Sequence, residues 1–188
     1  MMNKKSKVNS ITTQYESDWL SLNKCHWEKH SGEKFSYEFV KRNKCSNIVM
    51  IIPRFKDSGD FVLVRQFRPP LNSYTLEFPA GLVDLGEDLE TAALRELKEE
   101  TGYSGLIIQR HPDRCVSAGL SSEVITAFEV EIDKNSTENK NPILDPDESE
   151  DIEVILMTKD DLYQQVHKSL SKDIIDVKLS LYCIGLFS

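Results

Sequence analysis

The chain has 188 residues, of which 39% are hydrophobic and 9% aromatic, a composition typical of a folded domain with a substantial core rather than of a disordered chain. Its 31 acidic residues outnumber its 23 basic ones, and the resulting net charge of -8 would repel a nucleic-acid backbone. We therefore expect no general nucleic-acid binding, and a phosphorylated substrate would need a cation between itself and the carboxylates.

The N-terminal residues and the cysteines bear on location. Residues 1–7 are basic and polar with no apolar stretch behind them, unlike a secretory signal. No run approaches the ~20 apolar residues that span a bilayer. We therefore expect a cytoplasmic protein without membrane contact, and the nucleus is a second possible compartment. The cysteines are scattered without a C-x-x-C pair, so we expect them to be reduced thiols. These cysteines are Cys25, Cys45, Cys115 and Cys183.

The first half of the chain predicts mainly strands. Residues 1–14 are polar, and we expect them to be disordered. Apolar and polar residues then alternate from Trp19 to Asn43 around Ser31-Gly32, which predicts a β-hairpin. Short apolar runs predict a second hairpin with buried strands and one further strand. These runs are 48–52 and 61–64, around turn residues 57–60, and then 74–78.

One strong helix follows. Leu89, Ala93 and Leu97 recur every four residues between Asp88 and residue 101, as a core-facing stripe requires. Gly102 then stands where a left-handed residue would end the helix.

The rest of the chain predicts three more strands, a loop and a helical C-terminal part. The polar, acidic segment 135–150 contains two prolines and is expected to be a mobile surface loop. From residue 159 onward the pattern predicts two helical pieces split near Ser171. Strands that precede, flank and follow one strong helix indicate an α/β or α+β fold with a mixed sheet. The three strands are predicted near 106–109, 123–132 and 152–157.

Three glutamates of the strong helix lie close together. Glu96 and Glu100 are four residues apart, and Glu99 lies beside them. Such crowding is costly unless a cation neutralises it, and hard oxygen ligands select Mg²⁺, Mn²⁺ or Ca²⁺ rather than zinc. The alternative interpretation is a solvated charged face in which Arg95 pairs with Glu99.

The segment that contains these glutamates carries a family resemblance. Residues 81–103 match the Nudix box, G-x5-E-x7-R-E-U-x-E-E-x-G-U with U apolar or aromatic, at every defined position. The chain therefore resembles the Nudix hydrolases. This resemblance implies an α/β/α sandwich and hydrolysis of a nucleoside diphosphate linked to another moiety.

The resemblance also implies roles for the box residues. Its metal ligands would be Glu96, Glu100 and the carbonyl of Ala80, binding Mg²⁺ with Mn²⁺ as a substitute. Glu99 would be a further catalytic carboxylate beside them, and Arg95 would orient the carboxylates. The residues with a structural role in the box would be Gly81, Glu87 and Gly102.

A second resemblance points to one branch of the family. Residues 64–70 and 76–82 are similar to the ADP-sugar pyrophosphatases, especially the animal type, which hydrolyse ADP-ribose. In this branch an N-terminal β-domain exchanges across a homodimer, and two aromatic side chains sandwich the adenine. The corresponding positions are Trp19 and Tyr37, with tyrosine where a second tryptophan is expected. The alternative for both is ordinary hairpin packing.

The same branch implies residues that bind the diphosphate and activate water. Arg42 and Arg68 would bind the diphosphate, because an acidic protein needs placed guanidiniums to hold a dianion. The alternative for each is a surface ion pair. The general base aligns with Glu150, and Glu148 and Asp151 are alternatives for that role.

Two positions depart from the branch at the terminal sugar. Ala118 stands where a proline is usual, and Ser117 replaces an acidic residue that touches the terminal ribose. We keep Ser117 among the expected substrate contacts, together with Leu82. Neither departure touches the metal ligands.

The resemblances together predict a function and a division of the chain. We expect a β-subdomain at 15–45 for dimerisation and adenine stacking, and a Nudix domain at 46–188. The expected reaction is Mg²⁺-dependent hydrolysis of ADP-ribose or a related ADP-sugar to AMP and a sugar phosphate. The alternatives are hydrolysis of a dinucleotide or coenzyme A derivative, and a non-catalytic sensor that binds ADP-ribose.

Overall fold

The computed structural model describes residues 5–45, 47–168 and 172–187. It contains a three-stranded sheet near the N-terminus and a larger nine-stranded mixed sheet, with helices on both faces of the larger one. The first seven strands are β1 (Lys7–Glu16), β2 (Leu20–Glu28), β3 (Lys34–Arg42), β4 (Asn47–Phe55), β5 (Phe61–Arg68), β6 (Ser73–Glu77) and β7 (Ala80–Val83). They are followed by α1 (Leu89–Thr101), β8 (Leu106–Arg110), β9 (Arg114–Cys115), β10 (Val124–Ile132), β11 (Ile152–Met157), α2 (Lys159–Lys168), β12 (Ile174–Ile175) and α3 (Val177–Phe187).

The small sheet is antiparallel, in the order β1-β2-β3. Its β2–β3 hairpin confirms the predicted one, with Gly32 at φ +97° in the turn. The prediction of disorder over 1–14 is wrong for the residues from Lys7 onward, which form β1. The polar composition of this segment gave no sign of a strand because every residue of β1 is exposed. The backbone of β1 instead forms hydrogen bonds with β2. Residues 1–4 lie outside the described residues.

The large sheet has the core order β12-β6-β5-β4-β10-β8, and β4 runs parallel to β10. Strand β4 is buried on both faces because successive side chains point in opposite directions. Val49 and Ile51 pack in the cluster that includes α1, whereas Met50 and Ile52 pack in the cluster that includes α2 and α3. The expected α/β/α sandwich with a mixed sheet is confirmed. The short strands β7, β9 and β12 are not anticipated by the sequence patterns.

Local signals set the bounds of α1. The Asp88 carboxylate accepts hydrogen bonds from the backbone N–H groups of Glu90 and Thr91, both at 3.1 Å, and so caps the helix. Gly102 adopts φ +74° and ends it. Two helices follow residue 158 as predicted, although Ser171 lies outside the described residues. None of the helices in the described residues combines the length and apolar character needed to cross a membrane.

The segment 135–150 is largely exposed, as expected of a surface loop, and two anchors restrain it. The buried Asn139 amide exchanges hydrogen bonds with the Ser104 backbone, at 2.8 and 2.9 Å. Farther on, the Asp145 N–H donates to the Glu99 carbonyl at 2.9 Å. The end of the loop is thereby fixed relative to α1.

Candidate functional site

A cleft of about 1070 Å³ collects residues from both ends of the chain and from the segment that precedes α1. Its described lining contains eight acidic and four basic side chains. The cleft therefore carries an excess of four negative charges when all of these groups are ionised. The four basic residues are Arg42, Arg68, Arg95 and Lys178.

Two glutamates of α1 face the strand β7 that passes beneath the cleft. Glu100 is 2% exposed, and its Oε2 accepts a hydrogen bond from the Ala80 N–H at 3.1 Å. The Glu96 carboxylate lies so close to Gly81 that a Cβ on this glycine would overlap it. Glycine at this position is therefore a steric requirement of the carboxylate.

Burial changes the protonation of both groups. Desolvation raises the pKa of Glu96 to about 7, against the opposing effect of the neighbouring Arg95. Desolvation, and next the charge of Glu96, raises the pKa of Glu100 well above its ordinary value. The charge of Arg95 offsets the desolvation of Glu96 only in part, and the charge of Arg68 likewise offsets that of Glu100 only in part.

Arg95 connects the helix to the segment before it. Its Nε and Nη2 donate to both oxygens of Glu87 at 2.9 Å, and Nη2 also donates to the Leu82 carbonyl at 3.0 Å. Its Nη1 donates to Glu96 and Glu99, both at 2.9 Å. All five N–H donors of the guanidinium are used, so Arg95 holds the carboxylates of Glu87, Glu96 and Glu99 in position.

The donor chemistry of this region fits a hard divalent cation. Two carboxylates and the Ala80–Gly81 backbone converge in a space that only glycine leaves open, and oxygen donors suit Mg²⁺ or Mn²⁺. No set of three or more acidic, histidine or cysteine side chains within 5–45, 47–168 and 172–187 has the arrangement of a metal site. The implied ligands are different in kind, since they comprise two side chains, Glu96 and Glu100, and one backbone carbonyl.

Two arginines of the cleft are each held by a carboxylate. Arg68 Nε and Nη2 donate to the buried Glu77 at 2.7 and 2.9 Å. Burial favours the protonated form of Glu77, but hydrogen bonds from Arg68 and Thr75 outweigh it and lower its pKa. Arg42 Nε donates to Glu123. Both contacts orient a guanidinium while leaving part of its donor set for another partner.

The three candidates for the base occupy different surroundings. Glu150 lines the cleft together with Asp147, and its Oε2 accepts a hydrogen bond from the Asp147 N–H at 3.2 Å. Asp151 instead accepts a hydrogen bond from the Tyr74 hydroxyl at 2.6 Å. Glu148 is not part of the described cleft lining.

The predicted adenine and sugar contacts are only partly brought together. Trp19 and Leu82 line the cleft, whereas Tyr37 and Ser117 are not part of its described lining. The Tyr37 hydroxyl donates to the Gly119 carbonyl of its own chain at 2.6 Å. One chain therefore offers its cleft a single aromatic face from the predicted pair.

The sequence analysis missed one wall of the cleft, which is formed by β12 and the start of α3. Asp176 caps α3 by accepting from the Lys178 N–H at 2.7 Å, and the Lys178 ammonium donates to the same carboxylate at 2.6 Å. An aspartate before an apolar helical pattern is a recognisable start signal. The local sequence does not indicate that the start of this helix lies at a cleft whose other residues are ~100 positions away in the chain.

The chain is similar to known proteins. The NUDIX domain family matches residues 46–176. The ADP-sugar pyrophosphatase of Mus musculus is 35% identical over 178 residues, covering 91% of this chain and 82% of the mouse protein. The ADP-ribose pyrophosphatase of Bacillus subtilis is 35% identical over 151 residues, covering 80% and 76%. A crystal structure described as an ADP compounds hydrolase superimposes with a TM-score of 0.73 at 21% identity, covering 100% of this chain and 96% of the other. That likeness concerns the fold.

Proposed function

This chain belongs to the Nudix family, and we propose that it hydrolyses the diphosphate bond of ADP-ribose or a related ADP-sugar to give AMP and a sugar phosphate. One observation carries this proposal: the Glu96 carboxylate, whose desolvation is only partly offset, and anchored arginines line the same cleft as an exposed tryptophan. Such a cleft offers places for divalent metal, diphosphate and purine. The names of the mouse and Bacillus relatives support the same substrate class.

The proposed cofactor is Mg²⁺, for which Mn²⁺ can substitute. Glu96, Glu100 and the Ala80 carbonyl would hold it, with Glu99 beside them. A cleft with up to four excess negative charges disfavours a diphosphate, and bound cations would offset this repulsion. When bound, divalent cations neutralise phosphate oxygens and lower the pKa of coordinated water.

Three side chains of the cleft have the remaining roles in the proposed reaction. Glu150 accepts a proton from the water that attacks phosphorus, and the bond from phosphorus to the bridging oxygen breaks. Arg42 and Arg68 hold the phosphates and stabilise the charge that develops on them. Their carboxylate partners, Glu123 and Glu77, keep each guanidinium oriented before substrate arrives.

We propose a homodimer as the functional unit. Strand β1 is an edge strand with ten exposed residues, and apolar side chains such as Ile11, at 57% exposure, and Tyr15, at 67%, project from it. A second copy that covers this sheet would remove an exposed edge and apolar surface together. Tyr37 would then reach the cleft of the partner, where Trp19 presents the other face of the sandwich.

We place the protein in the cytoplasm or nucleus. All four cysteines are free thiols in the structure, which suits a reducing compartment. Imaging of the full chain with a fluorescent tag tests this proposal, and secretion or an organelle lumen would contradict it.

A substrate panel with product analysis tests the proposed reaction. Purified protein is incubated with ADP-ribose, ADP-mannose, a diadenosine compound, NADH and coenzyme A, with Mg²⁺ or with chelator. We expect AMP and ribose 5-phosphate from ADP-ribose, only when metal is present. Faster cleavage of the dinucleotides or coenzyme A would assign another Nudix activity. Tight binding of ADP-ribose without cleavage at any metal concentration would indicate a sensor.

A further inference from the structure

Two side chains on neighbouring strands stack behind the cleft wall. The Arg65 guanidinium lies 3.7 Å from the centre of the Tyr74 ring, a close cation–π contact between β5 and β6. Phe67 packs edge-on against the same ring, with 5.4 Å between ring centres. Neither Arg65 nor Tyr74 belongs to the described cleft lining. The stack therefore acts on the site only through other residues.

One end of the stack holds the chain beside the candidate base. The Tyr74 hydroxyl donates to Asp151 Oδ2 at 2.6 Å, and the Phe67 N–H donates to the Asp151 carbonyl at 3.1 Å. Asp151 immediately follows Glu150 and leads into β11. The Asp147–Glu150 turn closes on itself through a 2.9 Å backbone hydrogen bond. Asp151 is therefore the point where this turn is joined to the sheet.

The other end of the stack holds the C-terminal wall of the cleft. Arg65 Nε and Nη2 donate to the two oxygens of Asp173 at 2.7 and 3.0 Å, a bidentate pair. Asp173 immediately precedes β12, whose two isoleucines line the cleft ahead of Lys178. Strand β12 pairs with β6 through two residues, and the Arg65–Asp173 contact adds a side-chain tie at the residue before this strand.

We propose that Arg65 and Tyr74 are positioning residues that form one strut with two arms. The Tyr74–Asp151 arm sets the position of Glu150, and the Arg65–Asp173 arm sets the position of the β12 wall that contacts substrate. This inference rests on the proposed hydrolysis and on Glu150 as its base. A general base must lie within hydrogen-bond reach of its proton, so a displaced turn lowers turnover more than it lowers binding.

The first arm is tested with Tyr74→Phe, which keeps the ring and its stacking but removes the hydroxyl. We expect kcat to fall by roughly 5- to 30-fold, with KM changed by less than about twofold. Asp151→Ala should match this loss, whereas Asp151→Asn, which keeps an acceptor oxygen, should retain most activity. Tyr163→Phe, on the exposed side of α2 and outside the described cleft lining, is the matched control and should leave kcat unchanged.

A double mutant separates positioning from general damage. If the hydroxyl acts through Glu150, adding Tyr74→Phe to Glu150→Gln should cost no further activity, because the base has already been removed. An equal loss in both backgrounds would overturn this arm of the proposal. So would wild-type kcat in the Tyr74→Phe protein.

The second arm is tested with Asp173→Ala, with Asp160→Ala on exposed α2 as its control. We expect KM to rise by roughly 3- to 10-fold while kcat changes by less than about twofold, because the wall contributes to binding. Unchanged KM would overturn the arm. A parallel loss of kcat and thermal stability would also overturn it, since it would indicate a structural contact alone.

Failure of the proposed function and failure of the strut inference give different results. Every assay uses the nucleotide that the wild-type protein cleaves best in the substrate panel. A wild-type protein that cleaves none of them contradicts the proposed function, and the strut inference with it. An active wild-type protein whose Tyr74→Phe and Asp173→Ala variants behave like their controls contradicts the strut inference alone.

Discussion

The helix α1 and the N-terminal sheet use their functional side chains in opposite ways. Around α1, partners come from the same chain, as in the five hydrogen bonds of Arg95 and the contact of Glu100 with Ala80. In the sheet and just before β2, Tyr37 is 46% exposed and Trp19 is 66% exposed. The helix assembles its chemistry from nearby sequence, whereas the sheet carries exposed aromatic surface that we propose is completed by substrate and a second copy.

This difference predicts which kinetic constant a substitution in each region should change. Changes on α1 should lower turnover in every copy, irrespective of the partner. Changes in the sheet should alter substrate binding, and their effect should depend on which copy carries them. The following variants test this division, beginning with the largest expected effect.

Glu100→Gln should have the largest effect, because it removes the charge of a proposed metal ligand while keeping the shape of the side chain. We expect kcat to fall by at least about 100-fold at saturating Mg²⁺. Steady-state kinetics with ADP-ribose measure this loss. Glu90→Gln, an exposed glutamate in the first turn of α1, is the matched control. Wild-type turnover in Glu100→Gln would refute the metal assignment.

Trp19→Ala and Tyr37→Ala should act on binding. Stacking of one base on an aromatic side chain is worth about 1–3 kcal/mol, so each variant should raise KM for ADP-ribose by roughly 5- to 150-fold with little loss of kcat. Phe35→Ala, in the same strand as Tyr37, is the control for a packing effect, because Phe35 contacts Trp27 within its own sheet. If KM is unchanged in both test variants, the aromatics only pack the hairpin.

Lys178→Met should have a smaller effect of the same kind. The Lys178 ammonium lines the cleft beside Asp176, and its charge helps to lower the pKa of Glu77. It therefore adds positive charge near Arg68. We expect KM to rise by roughly 2- to 5-fold, less at high salt, since partly exposed charges are screened. Lys178→Arg should stay near wild type. A KM indifferent to the charge at this position would remove Lys178 from the substrate site.

The smallest effect concerns the stability of metal-free protein. The pKa of Glu96 rises from 4.5 to about 7 on folding, so the folded state binds its proton more tightly. Stability therefore falls as pH rises from about 4.5 through about 7. Glu96→Gln should melt at a higher temperature than wild type at pH 8, by at least about 2 °C, and at nearly the same temperature at pH 5. A difference that does not vary with pH would contradict this account.

The sequence predicted most accurately what local chemistry determines. The bounds of α1 follow from the cap of Asp88 and the left-handed Gly102, and both are observed. The central strands follow from runs that are apolar on both faces. Strand β1 was missed because its partners lie in β2 and its side chains stay exposed, so polarity carried no signal.

The parts of the site that sequence could not give depend on long-range contacts. Lys178 and Tyr74 reach the cleft or its support through residues ~75–100 positions away in the chain. Similarly, Asp151 and Glu150 are adjacent acids, and the folded chain distinguishes them: Asp151 accepts a hydrogen bond from the Tyr74 hydroxyl, whereas Glu150 lines the cleft. An alternating strand pattern also does not show whether Tyr37 lies in the cleft of its own chain, and Tyr37 is not part of the described lining.

Mixing an inactive chain with a chain impaired in binding tests the contrast between the two regions most directly. Glu100→Gln protein is mixed with Tyr37→Ala protein, or separately with Trp19→Ala protein, under conditions that exchange subunits, and KM for ADP-ribose is measured. In each mixed dimer the only metal-competent cleft belongs to the alanine variant. If Tyr37 serves the partner and Trp19 its own chain, the Tyr37→Ala mixture recovers a low-KM component and the Trp19→Ala mixture does not. Equal behaviour of the two mixtures, or no exchange because the protein is a fully active monomer, would contradict the account.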